Sequence, residues 1–318
     1  MESQIQISIV VPLYNEEGSF PYLIDRLNKL MDASPQNIEV VLVNDGSKDD
    51  TPELMEIQSI KDPRYQSVFL SKNIGHQLAL SAGLTAVRAT EAVMVIDGDL
   101  QDPPELLPDY YQKFKEGYDV VYGVREMRND EGLFKKLSSR YFYKFLQSVT
   151  STNIPENSGD FCLMSRRVVD RLNSMPEHSR FIRGIRAWVG FKQTGIEYAR
   201  DKRVEGETKY PLKKMLALAY NAIFSFSQAP VKLITNLGLF SLVFAGVYFV
   251  STLVKYFFFE GIVEGYTTLL FFVLFFGGIQ MVSLGVIGEY VLRIFNEAQG
   301  RPLYIISHRI VEGKKIDG

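Results

Sequence analysis

Residues 97–102, with the sequence DGDLQD, carry the strongest chemical signal in this chain. They follow directly on the apolar run 92–96 (AVMVI). Carboxylates on either side of a glycine at a strand end suit a hard divalent cation, Mg²⁺ or Mn²⁺, which takes oxygen ligands from carboxylates, phosphate and water. Such a cation offsets the negative charge that builds on a departing diphosphate. An isolated Asp-x-Asp pair is more often a polar turn, so this interpretation depends on its neighbours.

Two further polar segments follow apolar runs nearer the N-terminus. The first, VVPLYNEE, offers Tyr14 to stack on a base and Glu16 to accept a hydrogen bond from base or ribose. Its Pro12 has no N–H for a sheet and so marks the end of a strand. The second, VNDGSKDDT, places Asp45 to read a base or sugar edge. Each segment also has a simpler interpretation. The first could be a helix cap followed by two glutamates, and the second an ordinary Asp-Gly turn.

The elements that would position these residues alternate in type. The predicted strands are residues 5–12, 38–44, 65–71, 92–96 and 118–123, and the predicted helices are 15–33 with Asn15 as N-cap, one from Thr51, 76–89, and one capped by 102–105. Near-continuous apolar strands between helices imply an α/β fold with a mostly parallel, Rossmann-like sheet covered on both faces. Ligands bind beyond the carboxyl ends of such strands, so the loops after Val11, Val43 and Ile96 should hold the site.

Charge and hydropathy change sharply in the last third of the chain. Residues 237–254 and 266–288 contain no charged side chain, and each is long enough to span a bilayer as a helix. Basic residues flank the pair on both outer sides and are absent from the linker 258–265, so the positive-inside rule places both flanks in the cytoplasm. Residues 212–228 show a polar stripe at helical spacing, which fits an interfacial helix or a surface helix of the polar domain. Two helices buried in a large soluble core are the alternative to two spans.

The overall composition narrows the function classes. The chain of 318 residues has a formal net charge of −2, which gives no sign of a nucleic-acid partner. The single cysteine, Cys162, excludes an internal disulfide framework and a cysteine-based zinc site. No secretory signal precedes the first strand, so the N-terminal domain is expected on the cytoplasmic side. The predicted organisation is a catalytic domain at 1–211, an interfacial helix at 212–231, two transmembrane helices at 232–292 and a cytoplasmic tail at 293–318.

VVPLYNEE, VNDGSKDDT and DGDLQDPPE, in this order and spacing, resemble the family 2 glycosyltransferases with the GT-A fold. The later segments NSGDF, LMSR and RVEGETKY, followed by two spans, are similar to the polyisoprenyl-phosphate glycosyltransferases, which include dolichol-phosphate mannose synthases. They resemble the bactoprenol glucosyltransferase type most. The resemblance covers nearly the whole chain. It implies a membrane enzyme that uses Mg²⁺ or Mn²⁺ to transfer a sugar from a UDP-sugar to a polyprenyl phosphate, such as undecaprenyl phosphate.

The resemblance also implies roles for individual residues. The nucleotide-sugar would be bound by Pro12, Tyr14, Glu16, Asp45, Asp97 and Gly98, and its phosphates by Arg125, Arg203 and Lys209. Asp99 would bind the metal directly and so be catalytic, with Asp97 beside it and Gln101 completing the metal's shell. Several cations are needed where a diphosphate and a lipid phosphate meet. Arg203 and Lys209 could instead be juxtamembrane charges that contact anionic headgroups.

Asp160 stands where this family has its proposed catalytic base. A lipid phosphate monoester has a second pKa of about 6 and is largely a dianion near neutral pH, so it hardly needs deprotonating. Asp160 could instead orient the acceptor, stabilise positive charge at the anomeric carbon or position a basic residue. The chain departs from relatives that carry arginine at the position of Cys162, and Arg166 or Arg167 could substitute. Gly98, where alanine is common, should only loosen the turn.

The implied reaction is a single displacement that inverts the anomeric configuration, with glucose from UDP-glucose favoured and mannose, galactose or amino-sugar donors left open. A processive polysaccharide synthase should also carry a Gln-x-x-Arg-Trp segment, but the only tryptophan, Trp188, lies in RAWVGF. A glycosyltransferase of the outer face would need a large extracytoplasmic domain. A non-catalytic membrane scaffold should have lost Asp97 or Asp99, and both are intact. Small residues along the second span allow close helix contacts within one chain or between chains, and the second case would give a homo-oligomer.

Overall fold

One mixed sheet organises the first of two units. The computed structural model describes residues 4–126, 158–175, 177–178, 180–200, 229–258 and 265–317. The first unit comprises 1–144, 152–211 and 302–318, and the second 145–151 and 212–301. The described strands are β1 Ile7–Leu13, β2 Ile38–Asn44, β3 Tyr65–Leu70, β4 Ala92–Val95, β5 Val120–Arg125, β6 Ser158–Ser165, β7 Gln193–Tyr198, β8 Ile306–Val311 and β9 Lys314–Asp317. Their order across the sheet is β7-β5-β6-β4-β1-β2-β3-β8-β9.

The centre of the sheet is parallel, as the alternation of apolar runs and helices predicts. β4, β1, β2 and β3 are parallel neighbours, and every residue of β1 and β2 is buried, since helices cover both faces. The antiparallel strand β6 separates β4 from β5, and it was not predicted from the sequence. The described helices of this unit are α1 Phe20–Ala33, α2 Thr51–Lys61, α3 His76–Ala86, α4 Leu107–Lys115, α5 Arg166–Ser174 and α6 Ile182–Trp188.

Several predicted boundaries need correction. Helix α1 begins at Phe20 with Ser19 as its N-cap, whereas the sequence predicted a start at Asn15. Asn15 has a φ of +54°, a left-handed conformation that Asn tolerates better than most residues, so it belongs to a loop. Helix α3 ends at Ala86 rather than at residue 89, because Val87 is extended. A short 3₁₀ turn, Pro104–Leu106, precedes α4.

The C-terminal residues add a hairpin to the sheet edge that the sequence did not predict. Strand β8 pairs antiparallel with β3, and β9 pairs antiparallel with β8. The ring of His308 stacks on Phe69 with centroids 4.3 Å apart, and its Nε2 lies 3.0 Å from Glu56. Arg88 donates to Glu312 in the hairpin turn at 2.7 Å. The predicted tail at 293–318 therefore contains two strands of the first unit.

The second unit contains two long apolar helices in its described part, α7 Ala229–Phe258 and α8 Tyr266–Ala298. Two windows, Pro230–Thr252 and Phe275–Ala298, are long and apolar enough to cross a membrane, and none of the side chains described in them is buried. The predicted spans 237–254 and 266–288 fall within these helices. The predicted interfacial helix at 212–228 lies outside the described residues.

Candidate active site

The loop that follows β4 holds the predicted metal-binding residues at the carboxyl edge of the sheet. The carboxylate of Asp99 accepts a hydrogen bond from the backbone N–H of Gln101 at 3.1 Å, and both residues are buried. Between them, Leu100 has a φ of +60°, which is costly for a bulky residue and typical of constrained functional loops. The loop therefore holds Asp97, Asp99 and Gln101 together on a backbone that other contacts keep strained.

Gly98 packs closely on β1, and its backbone is not left-handed. A Cβ at this position would lie 2.4 Å from Cδ2 of Leu13 and 3.2 Å from the carbonyl oxygen of Pro12. Its φ is not among the positive values of the described glycines. The expectation that this glycine only loosens the turn stays a prediction, and an alanine here would need the end of the Leu13 side chain to shift.

Two carboxylates around this loop are incompletely hydrogen-bonded. Oδ1 of Asp97 and Oδ2 of Asp102 are buried and have no hydrogen-bond partner among the described residues. Burial, together with the charges of Asp102, Asp160 and Asp99, raises the pKa of Asp97 to about 6, although the charge of His76 opposes this shift. Unpartnered carboxylate oxygens in a buried site are costly unless a cation or another ligand contacts them.

These residues fit the proposed divalent cation. Asp97 and Asp99 supply carboxylate oxygens, and Gln101 supplies an amide oxygen, all of which Mg²⁺ and Mn²⁺ accept. Among the described residues no group of three or more His, Cys, Asp and Glu side chains is arranged to hold a metal ion. A hard cation of this kind commonly takes one or two carboxylates and completes its shell with substrate phosphates and water.

The loops after β1 and β2 are joined to each other by hydrogen bonds. The N–H of Asn15 donates to Ser47 Oγ at 3.0 Å, and Asn15 Oδ1 accepts from the N–H of Lys48 at 2.8 Å. The N–H of Glu16 donates to Thr51 Oγ1 at 2.9 Å. Tyr14 is 43% exposed at the tip of this pair of loops. The structure thus brings the first two predicted nucleotide-binding segments together and leaves the Tyr14 ring accessible for stacking.

Asp45 has a structural task in addition to its predicted contact with the nucleotide. Its Oδ1 accepts a hydrogen bond from the N–H of Ile74 at 2.8 Å, and its Oδ2 accepts from the N–H of Gly75 at 3.0 Å. Asn73 donates to its carbonyl oxygen at 3.0 Å. Asp45 therefore fixes the loop that leads into α3, and that loop presents His76 and Gln77.

Strand β6 explains how Asp160 reaches the same edge. It runs antiparallel to β4 with Val95 opposite Cys162, so residues before Cys162 lie beyond the carboxyl end of β4. Continuing this register by two residues sets Asp160 across from Asp97. His76 lies between them, with Nε2 3.6 Å from Oδ1 of Asp97 and 3.4 Å from Oδ2 of Asp160.

Donors and cations surround the Asp160 carboxylate. Gln77 Nε2 donates to Oδ2 at 2.8 Å, and Arg183 Nε lies 3.6 Å from Oδ1. Burial alone would raise the pKa of Asp160, but the charges of Arg183, His76 and Arg186 and a hydrogen bond from His76 hold it well below its usual range. For His76, burial lowers the pKa, whereas Asp160 and Asp97 raise it to about 9. Asp160 is therefore a stable carboxylate between cations and a weak proton acceptor.

Arg125 approaches the site from the end of β5. Its Nη2 lies 3.8 Å from Oδ1 of Asp102, and its Nε donates to the hydroxyl of Tyr198 at 3.3 Å. That hydroxyl donates to Asp102 at 2.6 Å. A Cβ on Gly159 would lie 2.9 Å from Arg125 Nη2, so this glycine leaves room for the guanidinium. Arg125 is thus placed beside the carboxylate loop, where a diphosphate is expected.

The guanidinium beside position 162 comes from α6. The thiol of Cys162 is fully buried, which raises its pKa, while the nearby charge of Arg186 on α6 opposes that shift. Arg166 instead pairs with Asp170 at 2.9 Å, and Arg167 pairs with Asp119. Neither of the two arginines named from the sequence therefore takes the place of an arginine at position 162.

Sequence reasoning missed His76, Gln77, Arg183 and Arg186, and it did not single out Arg200, whose Nη2 lies 3.8 Å from Asp99. A signal existed for the first two, because they follow the third parallel strand, whose carboxyl end lies at the same edge as the other loops. The pair Arg183 and Arg186 is spaced by three residues on one short helix. Arg203 and Lys209 lie outside the described residues.

The parallel centre of the sheet, its carboxylate loop and the cations facing it define a glycosyltransferase of the GT-A fold. The sequence model of glycosyl transferase family 2 matches residues 8–172, and the chain belongs to this family. The prediction of family and fold is thereby confirmed.

Relatives of known sequence match along nearly the full length. The chain is 44% identical to the uncharacterized glycosyltransferase YkcC of Bacillus subtilis over 317 residues, which cover 99% of this chain and 98% of the relative. It is 38% identical to the SfII prophage-derived bactoprenol glucosyl transferase of Shigella flexneri, with coverage of 96% and 99%.

Among solved structures, the chain is similar to Staphylococcus aureus TarS 1–349 in complex with UDP-GlcNAc, with a TM-score of 0.48 and 18% identity. That match covers 69% of this chain and 66% of TarS 1–349. It is also similar to glucosyl-3-phosphoglycerate synthase of Mycobacterium tuberculosis with Mn²⁺, UDP and phosphoglyceric acid, with a TM-score of 0.47 and 20% identity. This second match covers 69% of this chain and 76% of the synthase.

Proposed function

We propose that this glycosyltransferase transfers a hexose from a UDP-sugar to a polyprenyl phosphate, with glucose and undecaprenyl phosphate as the favoured pair. The proposal depends on one observation: two groups of residues with opposite charge face each other at one edge of the sheet. Asp97 and Asp99 form the carboxylate side, and Arg183 with His76 forms a cationic side around Asp160. A donor diphosphate with its cation and an anionic acceptor need these two environments next to each other. The 38% identity to bactoprenol glucosyl transferases supports the choice of acceptor.

The proposed reaction is one in-line displacement. A phosphate oxygen of the lipid forms a bond to the anomeric carbon of the sugar, while the bond from that carbon to the diphosphate oxygen breaks. The electron pair of the broken bond leaves with the nucleoside diphosphate, and no proton has to move, because the lipid phosphate is already largely a dianion near neutral pH. A single displacement inverts the configuration, so an α-linked donor gives a β-linked product.

The residues of the chain bind and orient the two substrates in this scheme. Tyr14 and Glu16 on the joined loops are proposed to bind the nucleoside, and Arg125 to contact the diphosphate. Asp97, Asp99 and Gln101 would hold Mg²⁺ or Mn²⁺, which supplies charge neutralisation for the leaving diphosphate. Arg203 and Lys209 are proposed as further phosphate contacts from outside the described residues.

The direct test combines the purified chain, undecaprenyl phosphate and either Mg²⁺ or Mn²⁺ with a panel of nucleotide-sugars, and weighs the lipid product by mass spectrometry. We expect a mass increase of one hexose with UDP-glucose. A product from a GDP-mannose or a UDP-amino-sugar donor would keep the reaction class and change the donor. Absence of a sugar-phospholipid from every donor would overturn the proposed function.

We further propose that both long helices cross the membrane and that the catalytic unit faces the cytoplasm. Their length and apolar composition support a crossing, and the basic residues on the outer flanks support the orientation. The test places one cysteine in the linker, Glu264→Cys, in a Cys162→Ser background. We expect an impermeant thiol reagent to label this cysteine in intact cells. Labelling only after the membrane is opened would reverse the orientation.

A further inference from the structure

The surroundings of Asp160 differ from those of a residue that accepts a proton. Its Oδ2 accepts a hydrogen bond from Gln77 at 2.8 Å and lies 3.4 Å from His76. Its Oδ1 is buried without a hydrogen-bond partner among the described residues, and it faces Arg183 Nε at 3.6 Å. Neither oxygen is therefore open towards an incoming acceptor. This geometry suits a carboxylate that holds other side chains in place.

Gln77 connects this carboxylate to the helix that carries Arg183. While its Nε2 donates to Asp160, its Oε1 accepts a hydrogen bond from the N–H of Ile182 at 2.8 Å. Ile182 is the first residue of α6, so Gln77 fixes the start of that helix against Asp160. The next residue along α6 is Arg183. Its guanidinium is thus positioned from two sides, by its own helix and by the carboxylate.

Of the charged pair, Arg183 is the member that reaches the surface of the site. The side chain of Arg183 is 21% exposed, whereas that of Asp160 is 8% exposed. In the described part of the chain, Asp160 is the single carboxylate within ion-pair distance of Arg183, whereas His76 lies within that distance of both Asp160 and Asp97. Among the described residues, Arg183 therefore has no ion pair with a carboxylate of the predicted metal-binding loop.

A second arginine leaves an excess of positive charge behind this pair. Arg186 is 1% exposed, and its Nη1 donates to the carbonyl oxygen of Gly159 at 3.4 Å. Its Nε and Nη2 have no hydrogen-bond partner among the described residues, and no carboxylate there lies within ion-pair distance of it. Two guanidinium groups thus face one carboxylate. Arg186 also lies over the ring of Tyr122, 5.4 Å from its centroid, but neither contact supplies a negative charge. A buried charge without a counterion is costly, so an anion bound at Arg183 would complete the charge balance.

We propose that Arg183 binds the phosphate of the acceptor and that Asp160 is a positioning residue that holds the Arg183 guanidinium for this contact. The inference rests on the proposed function, since the acceptor is there an anionic lipid. A guanidinium matches the geometry of a phosphate with two parallel hydrogen bonds, which an ammonium group does not reproduce. Arg186 adds charge behind it without touching the acceptor.

The test is a kinetic comparison of Arg183→Ala and Arg183→Lys with the wild type. The polyprenyl phosphate is varied at a saturating donor concentration, and the donor is then varied at a saturating polyprenyl phosphate concentration. We expect Arg183→Ala to raise the KM for the acceptor by about 10-fold to 100-fold, as loss of a charge-assisted contact implies, with little change in the KM for the donor. Arg183→Lys should recover part of this loss. Arg167→Ala is the matched control, because Arg167 pairs with Asp119 away from the site, and it should leave both KM values unchanged.

Asp160→Asn separates positioning from proton transfer. If Asp160 positions Arg183, this variant should raise the acceptor KM in the same direction as Arg183→Ala, and the double variant should be no worse than the poorer single one. A loss of kcat with an unchanged acceptor KM would overturn the proposal, as would equal changes in both KM values for Arg183→Ala. Thermal melting of each variant confirms that it folds. Failure of the wild type to glycosylate any polyprenyl phosphate would instead refute the proposed function.

Discussion

Two carboxylates at opposite edges of the parallel sheet, the buried Glu39 and the partly exposed Asp97, have different surroundings. Glu39, near the amino end of β2, is 1% exposed and accepts hydrogen bonds from Ser8, Gln66 and both the backbone N–H and the Nε of Arg88. Asp97, just beyond the carboxyl end of β4, keeps one buried oxygen that accepts no hydrogen bond among the described residues and lies 3.6 Å from His76 Nε2. A fully bonded carboxylate stabilises the fold, whereas an incompletely bonded one is available for a ligand.

The residues around Glu39 and those around Asp97 differ in the same way. Arg88 donates to Glu39 and also to Glu312 of the C-terminal hairpin, so the amino end of the sheet is tied together by ion pairs. At the carboxyl end, the strained Leu100 and several like charges are held close to one another. Strain and repulsion of this kind lower stability unless a substrate or cation binds. The comparison predicts that substitutions at the two ends affect different properties of the enzyme.

The largest effect is expected for Asp99→Ala. Loss of this carboxylate should lower turnover by on the order of 100-fold or more, because a bound cation contributes several kcal/mol to the transition state. The measurement is the rate of sugar-lipid formation over a titration of Mg²⁺ and Mn²⁺. Asp109→Ala, which removes an acidic residue in the first turn of α4, is the control and should keep wild-type activity. Unchanged activity and metal dependence in Asp99→Ala would show that the metal site is assigned incorrectly.

Asp97→Asn tests whether the site is assembled at the expense of stability. Activity should fall strongly, since the amide is a weaker ligand for a hard cation. The melting temperature measured without divalent cations should match or exceed that of the wild type, because neutralising Asp97 removes repulsion from Asp99, Asp102 and Asp160. A clear drop in melting temperature would mean that the attraction between Asp97 and His76 outweighs that repulsion.

Glu39→Ala should have the reverse profile. It leaves Arg88, Ser8 and Gln66 without their acceptor, and breaking a buried ion pair by removing one partner costs about 3–5 kcal/mol. Because Arg88 is partly exposed, we expect a loss in the free energy of unfolding near the lower end of that range. Chemical denaturation measures it, and the activity per folded molecule should remain. Loss of activity in fully folded protein would show that the two ends of the sheet are coupled.

The parts of the fold and site that the sequence could predict are those specified by local patterns. Four central strands and the carboxylate loop follow from local patterns, since buried parallel strands read as apolar runs and ligands bind at their carboxyl ends. The placement of Asp160 depends on the antiparallel register of β6 against β4, which no local pattern of that strand specifies. The approach of Arg183 likewise depends on the contact of Gln77 with both Asp160 and Ile182 across the fold. Long-range register therefore fixes the proposed acceptor side of the site, and local sequence fixes the proposed donor side.

The smallest effect is expected for a surface carboxylate at the amino end, Glu91. Hydrogen bonds from Lys115, Gln6 and Tyr111 lower its pKa from 4.5 to about 2. Since the pKa is lower in the folded state, the stabilisation is complete above about pH 4.5 and is lost as the pH falls towards 2. Glu91→Gln should therefore flatten the decline in stability within this window while changing stability at pH 7 only slightly, since exposed pairs contribute little. Denaturation midpoints at pH 7, 4.5 and 3 measure the effect. If the stability of the variant and that of the wild type fell by the same amount with falling pH, other carboxylates would be the cause of the acid sensitivity.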